Sequence, residues 1–196
     1  MLVWGHSHEA ELMERFRSGD RDAFTLVYRN QHPAVFRFAL HMTSDRDAAT
    51  EITQDVFVWL IHNAGAFDPA RGELGAFLVG VARKLLQRRW HADRRWVPLD
   101  GVPEPSCGHR NGPEEDESDS VRLRAAIAAL PERYREAVVL CDLQENSYEG
   151  AAVAIGCAVG TVRSRLHRAR GLLMRKLRGE QMAGKTAEKE SVECPV

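Results

Sequence analysis

The stretch SYEGAAVAIGCAVGTVRSRLHRAR, residues 147–170, decides the fold of the C-terminal part of the chain. Its first part, SYEGAAVAIG, has the pattern of a short apolar helix that stops at Gly156. A second helical pattern begins three or four residues later, and its apolar residues recur at steps of three and four. They are Val162, Leu166, Ala169, Leu173 and Leu177. This spacing predicts a helix-turn-helix unit, whose second helix typically lies in the major groove of DNA.

The second helix carries arginines off its apolar face. Between Arg163 and Arg178 there are seven Lys or Arg residues and no acidic residue. A solvated face normally mixes charges, because Glu pairs with Lys or Arg at four-residue spacing, so this segment favours a polyanionic ligand over a helical hairpin with a basic rim. Glycine permits close backbone approach, the helix N-terminus favours a phosphate, and arginine can read guanine with two hydrogen bonds. The candidate DNA contacts are Gly160, Thr161, Arg163, Ser164, Arg165 and Arg168.

Helical periodicity also dominates the rest of the chain, and almost no strand-like alternation is present. We predict four helices from Glu9 to about Trp96, and further helices from Val121. Between these blocks prolines recur, and Asp and Glu outnumber Lys and Arg by seven to one, so the segment buries too little apolar surface to fold. The sequence therefore predicts an all-α protein of two small helical domains, residues 9–97 and 121–178, joined by a flexible acidic linker at 98–120 and followed by a disordered tail at 179–196.

A second basic segment lies between Arg83 and Arg95, where six Lys or Arg residues accompany one acid. Its basic side chains fall opposite the apolar face of the predicted helix. Basic grooves with aromatic platforms suit single-stranded DNA, because exposed bases stack on aromatic rings. Trp90 lies near the continuation of the apolar stripe, however, so we predict that it packs in the core.

The bulk composition excludes several other classes of protein. The 196 residues carry a formal net charge of −1, and 28% are charged and 44% apolar, which is typical of a soluble globular chain. No apolar run reaches the roughly 20 residues of a membrane span, and the N-terminus lacks a secretory signal, so we predict a cytoplasmic protein without a membrane segment. The four cysteines lack zinc-site spacing, and no phosphate-binding loop, zinc-protease pair or nucleophile elbow occurs. The sequence therefore predicts no metal, no cofactor and no catalytic activity.

Taken together, these features resemble an extracytoplasmic-function (ECF) sigma factor, a two-domain member of the sigma-70 family of bacterial RNA polymerase subunits. The resemblance covers roughly Glu9 to Leu177. It is carried by EITQDVF and FDPARGELGAFLVGVARK in the N-terminal block, and by LPERYREAVVLCDLQENSYEGAAVAIGCAVGTVRSRLHRARGLLMRKL in the C-terminal block. The order and spacing of these motifs, and the acidic segment between them, match the family.

The resemblance implies a role for each block. The N-terminal block would be region 2, which binds core polymerase and the −10 promoter element, and the C-terminal block would be region 4, which reads the −35 element through the candidate contacts given above. The implied polymerase contacts are Glu51, Gln54, Asp55 and Phe57. The implied −10 contacts are Arg71, Arg83, Lys84 and Arg88. Ile52 and Val56 lie on another face of the polymerase-binding helix, and we predict that they are core.

The resemblance also implies the partners of the chain. They are bacterial core RNA polymerase, through its β′ clamp helices and its β subunit, promoter DNA and an anti-sigma factor. The acidic linker would extend toward the RNA exit path. Binding energy would promote strand opening, and the chain itself would make no bond.

The chain departs from the family pattern at several positions. Lys84 and Arg88 stand where the family often has Asn and Asp, and Thr50 replaces a usual acid in the polymerase-binding helix. Gly150 replaces the second Glu of a Ser-Tyr-Glu-Glu capping box, which predicts a weaker helix start, and Ala158 replaces a common Pro. The departures at Thr50, Lys84 and Arg88 leave the −10 sequence preference open. Those at Gly150 and Ala158 leave the DNA-facing residues of the second helix in place.

Two other classes of function remain as alternatives. A two-domain helix-turn-helix repressor or activator would share the basic second helix but would have no need of EITQDVF, and a pull-down with core polymerase separates it from a sigma factor. An RNA- or nucleotide-processing enzyme would need paired acids or a cluster of His ligands, which the sequence lacks.

Overall fold

The computed structural model of the chain describes residues 6–95 and 119–190, and within these ranges it contains eight α-helices and no strand. The N-terminal half consists of α1 (His6–Arg17), α2 (Arg21–Thr43), α3 (Arg46–His62) and α4 (Leu74–Arg95). The C-terminal half consists of α5 (Asp119–Ala128), α6 (Glu132–Val138), α7 (Tyr148–Ile155) and α8 (Val159–Glu190). Two 3₁₀ turns, Ala64–Ala66 and Pro69–Arg71, lie between α3 and α4, and a π-helical turn, Val139–Leu143, continues α6.

Short polar residues fix the starts of α2 and α3. The Asp20 carboxylate accepts hydrogen bonds from the first backbone N–H groups of α2, and Asp45 does the same for α3. These caps satisfy N–H groups that have no partner within the helix. Between the two helices, Ser44 adopts a left-handed conformation with φ of 57°, so α2 ends and α3 begins within two residues.

The core of the N-terminal half lies between α2, α3 and α4. Phe38, Ile52, Leu60 and Leu78 are among its fully buried side chains. Ile52 and Val56 are both buried, which confirms that one face of α3 is core. Trp90 on α4 is half-buried and packs against the buried apolar cluster of the chain, in agreement with its place near the apolar stripe.

The core of the C-terminal half forms where α6 and α7 pack on α8. Val162, Leu166, Ala169 and Leu173 of α8 are buried, which confirms the predicted stripe at these four positions, and Leu177 at its end is half-buried. Helix α8 packs against α5, α6 and α7, and the fully buried Leu140 belongs to the same buried cluster as this stripe. The basic residues of α8 therefore lie on the remaining faces of the helix.

The two halves pack directly against each other, with the most extensive contact between α4 and α7. At this contact the backbones approach closely, because Gly80 of α4 lies beneath Ala154 of α7. A Cβ atom added to Gly80 would lie 3.1 Å from the carbonyl oxygen of Ala154. Glycine at this position thus permits the approach of the two helices.

Polar side chains also join the halves. Arg135 of α6 donates to the carbonyl oxygen of Met42 near the end of α2 at 2.9 Å. It also donates to the carbonyl oxygens of Ala128, the last residue of α5, and of Leu130, which follows that helix. One guanidinium therefore satisfies carbonyl groups at the C-terminal ends of two helices, where positive charge is favoured. Gln144 donates to the carbonyl oxygen of Ala34 at 2.9 Å.

The all-α fold and the helices of both halves agree with the sequence prediction. One boundary differs, since α8 continues to Glu190 although the sequence predicts a disordered tail from residue 179. Nine of the eleven residues from 180 to 190 are Ala, Glu, Lys, Gln or Met, which are good helix formers, so the helix propensity there is high despite Gly184. The predicted linker lies outside the described residues, apart from positions 119 and 120, which begin α5.

Candidate nucleic-acid interface

The helix-turn-helix unit is formed by α7, a short turn and α8. The Ser147 hydroxyl accepts a hydrogen bond from the Gly150 N–H at 3.0 Å, so one half of the predicted capping box is present. Gly156 ends α7 in the left-handed conformation, with φ of 73°, and its N–H donates to the Ala152 carbonyl at 2.8 Å. Glycine adopts this conformation without the penalty that a Cβ atom brings, which explains why the chain turns sharply here.

The N-terminal part of α8 presents an exposed polar face. Gly160, Arg163, Ser164 and Arg168 are exposed, and Thr161 is half-buried. They lie opposite the buried stripe, and the Ser164 hydroxyl donates back to the Thr161 carbonyl at 3.0 Å. This face combines donors, a glycine and two accessible guanidinium groups, which are the groups that contact base edges and phosphates in major-groove helices.

Two further arginines of α8 are paired with acids, which corrects the expectation that the arginines of this helix are unopposed. Arg170 binds both oxygens of Asp142 in the π-helical turn, at 2.5 and 3.1 Å. Arg165 lies 4.0 Å from a carboxylate oxygen of Glu136 on α6. The acids come from other elements, so a count along α8 alone could not find them.

Aromatic rings hold the exposed arginines. The Arg163 guanidinium lies over the ring of Tyr148 at 5.4 Å from its centroid. The Arg168 guanidinium beside the Tyr134 hydroxyl lowers the pKa of that phenol. Such contacts orient a guanidinium while leaving donors available to a ligand.

Glu136 of α6 is a buried acid that lies between two arginines, and its side chain is 2% exposed. It accepts a hydrogen bond from Arg83 Nε of α4 at 2.5 Å through one oxygen and faces Arg165 of α8 with the other. Burial raises the pKa of the Glu136 carboxyl, and the Arg83 guanidinium opposes that rise. We call Arg83, Glu136 and Arg165 the Glu136 cluster. The sequence analysis missed Glu136, although an acid within the apolar run EAVVLC is an unusual residue for a helix core.

The predicted −10 contacts divide into two groups. Arg71, Lys84 and Arg88 are exposed, with Arg71 on the second 3₁₀ turn and the other two on α4. Arg83, in contrast, is 22% exposed and belongs to the Glu136 cluster. Three of the four side chains are thus accessible to a ligand, and the fourth is bound to the C-terminal half.

The four predicted polymerase contacts all lie on α3, and three of them are exposed. Glu51, Gln54 and Asp55 are exposed. Phe57 is buried, with its ring centroid 4.7 Å from that of Tyr28 on α2, so its side chain is not accessible to a partner in this structure, and its polymerase contact stays a prediction. Aromatic side chains bury a large apolar area, and Phe57 contributes that area to the α2–α3 contact.

The exposed face of α3 also contains apolar side chains that the sequence analysis did not single out. Val58 is 52% exposed and Ile61 is 50% exposed. They follow Asp55 at steps of three along the helix, so acidic and apolar groups share one surface. Such a combination is typical of a protein-binding surface, whose centre is apolar and whose rim is polar. Glu51 at one end of it pairs with Arg89 of α4 at 2.5 Å.

Within the described residues, no group of three or more His, Cys, Asp or Glu side chains is arranged to hold a metal ion. No helix in the same part of the chain is both long enough and apolar enough to cross a lipid bilayer.

Comparison with known proteins identifies both halves. Residues 27–96 match the family description "Sigma-70 region 2", and residues 120–173 match "Sigma-70, region 4". The ECF RNA polymerase sigma factor EcfG of Rhodopseudomonas palustris is 32% identical over 142 residues, covering 72% of this chain and 77% of that protein. The RNA polymerase sigma factor CarQ of Myxococcus xanthus is 30% identical over 173 residues, covering 86% of this chain and 96% of that protein.

Two solved structures have a similar fold. The sigma factor RpoE in complex with the anti-sigma factor NepR from Bartonella quintana has a TM-score of 0.61 and 26% identity, covering 79% of this chain and 96% of that one. CnrH in complex with the cytosolic domain of CnrY has a TM-score of 0.65 and 21% identity, covering 89% and 97%. The chain therefore belongs to the ECF sigma factors of the sigma-70 family, which are promoter-directing transcription factors rather than enzymes.

Proposed function

We propose that the exposed N-terminal face of α8 reads the −35 element of a promoter. The observation that carries this proposal is the accessible set Gly160, Arg163, Ser164 and Arg168 on the second helix of a helix-turn-helix unit. Thr161 and Arg165 border this face and complete the proposed set of contacts. Arg165 can join it once its side chain has moved away from Glu136. The arginines supply base or phosphate contacts, because a planar guanidinium can bind either with two hydrogen bonds.

We further propose that α4 and the turn before it contact the −10 element. Lys84 and Arg88 lie one helical turn apart on the exposed side of α4, and Arg71 precedes the helix. Cations at this spacing follow a phosphate backbone, and Arg83 joins them when it leaves Glu136. The Lys84 and Arg88 departures favour backbone contacts over base reading at this element.

Core RNA polymerase binds through α3 in this proposal. Gln54 and Asp55 are exposed beside Val58 and Ile61, and this surface would meet the β′ clamp helices, with the β subunit contacting the rest of the chain. Glu51 contributes a charge at the rim, and Phe57 supports the surface from the core. The chain accordingly acts by binding alone, without catalysis, in the bacterial cytoplasm.

The two halves correspond in this proposal to the two DNA-binding domains, residues 9–97 and 121–178, with residues 98–120 as the segment that connects them and the segment from residue 179 as an appendage. We propose an anti-sigma factor as a third partner. Its support is that the sigma factor RpoE and CnrH were both solved in complexes, RpoE with the anti-sigma factor NepR and CnrH with the cytosolic domain of CnrY.

Run-off transcription tests the proposal. Core polymerase with the chain should transcribe a selected set of templates from a random promoter library, and core polymerase alone should not. In this holoenzyme, Arg165→Ala should weaken binding to the selected promoter by about 1–3 kcal/mol if the arginine meets a base. Arg175→Ala removes the same charge further along α8 and is the matched control. An equal loss on scrambled DNA would show that Arg165 contacts only phosphate.

The polymerase surface has a separate test. Asp55→Arg should prevent pull-down of core polymerase, because it replaces a negative charge by a positive one in the middle of the proposed surface. Glu14→Arg makes an equal charge change at an exposed position of α1 and should leave the pull-down intact. Normal holoenzyme assembly by the Asp55→Arg variant would remove this surface from the proposal.

A further inference from the structure

Helix α1 contacts both ends of the segment that joins α3 to α4. We call this segment, residues 63–73, the α3–α4 connection. It contains the two 3₁₀ turns and carries Arg71, a proposed −10 contact. Helix α1 packs against both turns. None of the proposed DNA or polymerase contacts lies on α1, and the side chains through which it reaches the connection are Arg17 and Glu9.

Arg17, the last residue of α1, binds the first part of the connection. Its Nε donates to the carbonyl oxygen of Ala64 at 3.1 Å, and its Nη2 donates to the carbonyl oxygen of Phe67 at 2.5 Å. A guanidinium presents its donors in a rigid fork, so binding two carbonyls fixes the spacing of the backbone between them. The Phe67 side chain is buried, with its ring centroid 5.5 Å from that of Phe77 on α4. Residue 67 is therefore held through both its backbone and its ring.

Glu9 binds the other end of the connection. Its Oε2 accepts a hydrogen bond at 3.0 Å from the N–H of Leu74, the first residue of α4. This N–H group has no acceptor within its own helix, and a carboxylate is favoured at a helix N-terminus. The other Glu9 oxygen accepts from Gln31 Nε2 of α2 at 3.1 Å. Gly75 leaves room for that amide, because a Cβ atom there would lie 2.9 Å from Gln31 Oε1. A carboxylate that is itself held in place thus caps α4.

Arg71 lies between these two fixed points. It follows Phe67 by four residues and precedes Leu74 by three, so its backbone can reach few positions while both are held. Its N–H donates to the carbonyl oxygen of Asp68 at 3.0 Å, and Gly72 turns the chain with φ of 144°, a conformation that favours glycine. The Arg71 residue itself is exposed. The connection therefore presents Arg71 from an ordered backbone.

We propose that Arg17 and Glu9 are positioning residues for −10 recognition, which hold the α3–α4 connection in the form that presents Arg71 to the promoter. The inference rests on the proposed function, because it needs Arg71 to contact the −10 element. A connection that is not held must become ordered when DNA binds, and the entropy cost of that ordering is subtracted from the affinity. Loss of either anchor therefore weakens the −10 contact and leaves the −35 contacts of α8 unchanged.

The test measures the −10 contribution in the holoenzyme. This quantity is the ratio of two affinities, one for the promoter duplex that the wild-type holoenzyme selects and one for a duplex that ends just upstream of the −10 element. Arg17→Ala should lower the ratio about tenfold, as expected when roughly one residue of backbone must be ordered on binding. Glu9→Ala should lower it about fivefold through loss of the cap. Glu9→Gln should stay near the wild type, because its amide oxygen still accepts from the Leu74 N–H.

Three controls separate positioning from a general loss of structure. Arg15→Ala removes the same charge from the same helix, where Arg15 pairs with Asp20 at 2.7 Å, and should match the wild type. The −35 contribution, measured in the same way with a scrambled −35 element, should be unchanged in every variant. In an Arg71→Ala background, Arg17→Ala should lower the −10 contribution less than about twofold, because the side chain that it positions is gone.

The outcomes separate this inference from the function on which it rests. If Arg17→Ala lowers the −10 and −35 contributions equally, or lowers neither, the inference fails while the sigma activity stands. A full tenfold loss in the Arg71→Ala background would also overturn it, because Arg17 would then act elsewhere. If Glu9→Gln loses as much as Glu9→Ala, the cap is not the cause and Glu9 is no positioning residue. If Arg71→Ala alone leaves the −10 contribution unchanged, the proposed −10 contact fails and takes the inference with it.

Discussion

The ion pair between Arg83 and Glu136 provides a quantitative test of how the two halves are held together. The two side chains lie on α4 and α6, their polar atoms are 2.5 Å apart, and Glu136 is 2% exposed. Arg83→Ala removes the nearest positive charge and leaves a buried carboxylate. Removal of one member of a buried ion pair typically costs about 3–5 kcal/mol, because the remaining charge has neither water nor a partner.

Two features of the structure place the expected cost at the lower end of that range. Arg165 remains 4.0 Å from the second carboxylate oxygen, and burial already raises the pKa of the carboxyl toward protonation. We expect Arg83→Ala to lower the free energy of unfolding by about 3 kcal/mol. Glu136→Gln should cost about 1.5 kcal/mol, because both arginines retain some access to water. The double variant should cost about 2.5 kcal/mol, which leaves a coupling energy of about 2 kcal/mol.

Urea denaturation followed by far-ultraviolet circular dichroism measures these values at constant pH and ionic strength. Arg89→Ala is the control, because Arg89 lies on the same helix and pairs with Glu51 at the same 2.5 Å. That pair is exposed, at 43% and 60%, so its loss should cost less than about 1 kcal/mol. Equal losses from Arg83→Ala and Arg89→Ala, or a coupling energy below about 0.5 kcal/mol, would refute the reasoning.

Three further variants test the local structure by the same denaturation experiment. Ser147→Ala should lower the free energy of unfolding by about 1 kcal/mol through loss of the cap of α7, and no loss would mean that water replaces the cap. Gly156→Ala should cost about 1–2 kcal/mol from its left-handed backbone alone, since the added Cβ meets nothing within 4 Å. Phe57→Ala should cost about 3–5 kcal/mol, and reduced polymerase pull-down with unchanged stability would contradict its place in the core.

The sequence predicted most helices because their signals are local. Ser147 and Gly156 bound α7 at the two residues where a cap and a left-handed stop are expected, and the four-residue rhythm of Val162 and Leu166 placed the buried face of α8. The end of α8 was harder to predict, because the polar segment after Arg178 has no apolar periodicity and only its helix propensity favours a helix. Sequence patterns report burial more strongly than propensity, and a helix with few buried residues leaves a weak pattern.

The candidate sites were predictable in their residue types but not in their pairings. Exposed Arg163, Arg168 and Asp55 lie where the helical periodicity places them. The partners of Arg165 and Arg170 come from α6 and the π-helical turn, and only the tertiary fold brings those acids to α8. Phe57 is a different case, since its motif position suggests a contact residue while its apolar ring is buried between α2 and α3.

The pairing of Arg83 and Arg165 with one acid changes the meaning of the near-neutral net charge. A chain with every arginine exposed would bind any duplex, because phosphate contacts are independent of sequence. Arg83 and Arg165 face Glu136 instead, so fewer cations are accessible to a phosphate backbone than the sequence alone suggests. Cations held by acids in this way add little to a non-specific attraction for DNA. The local pairing of arginines and acids, more than the net charge of −1, therefore decides how strongly each surface of the chain attracts a duplex.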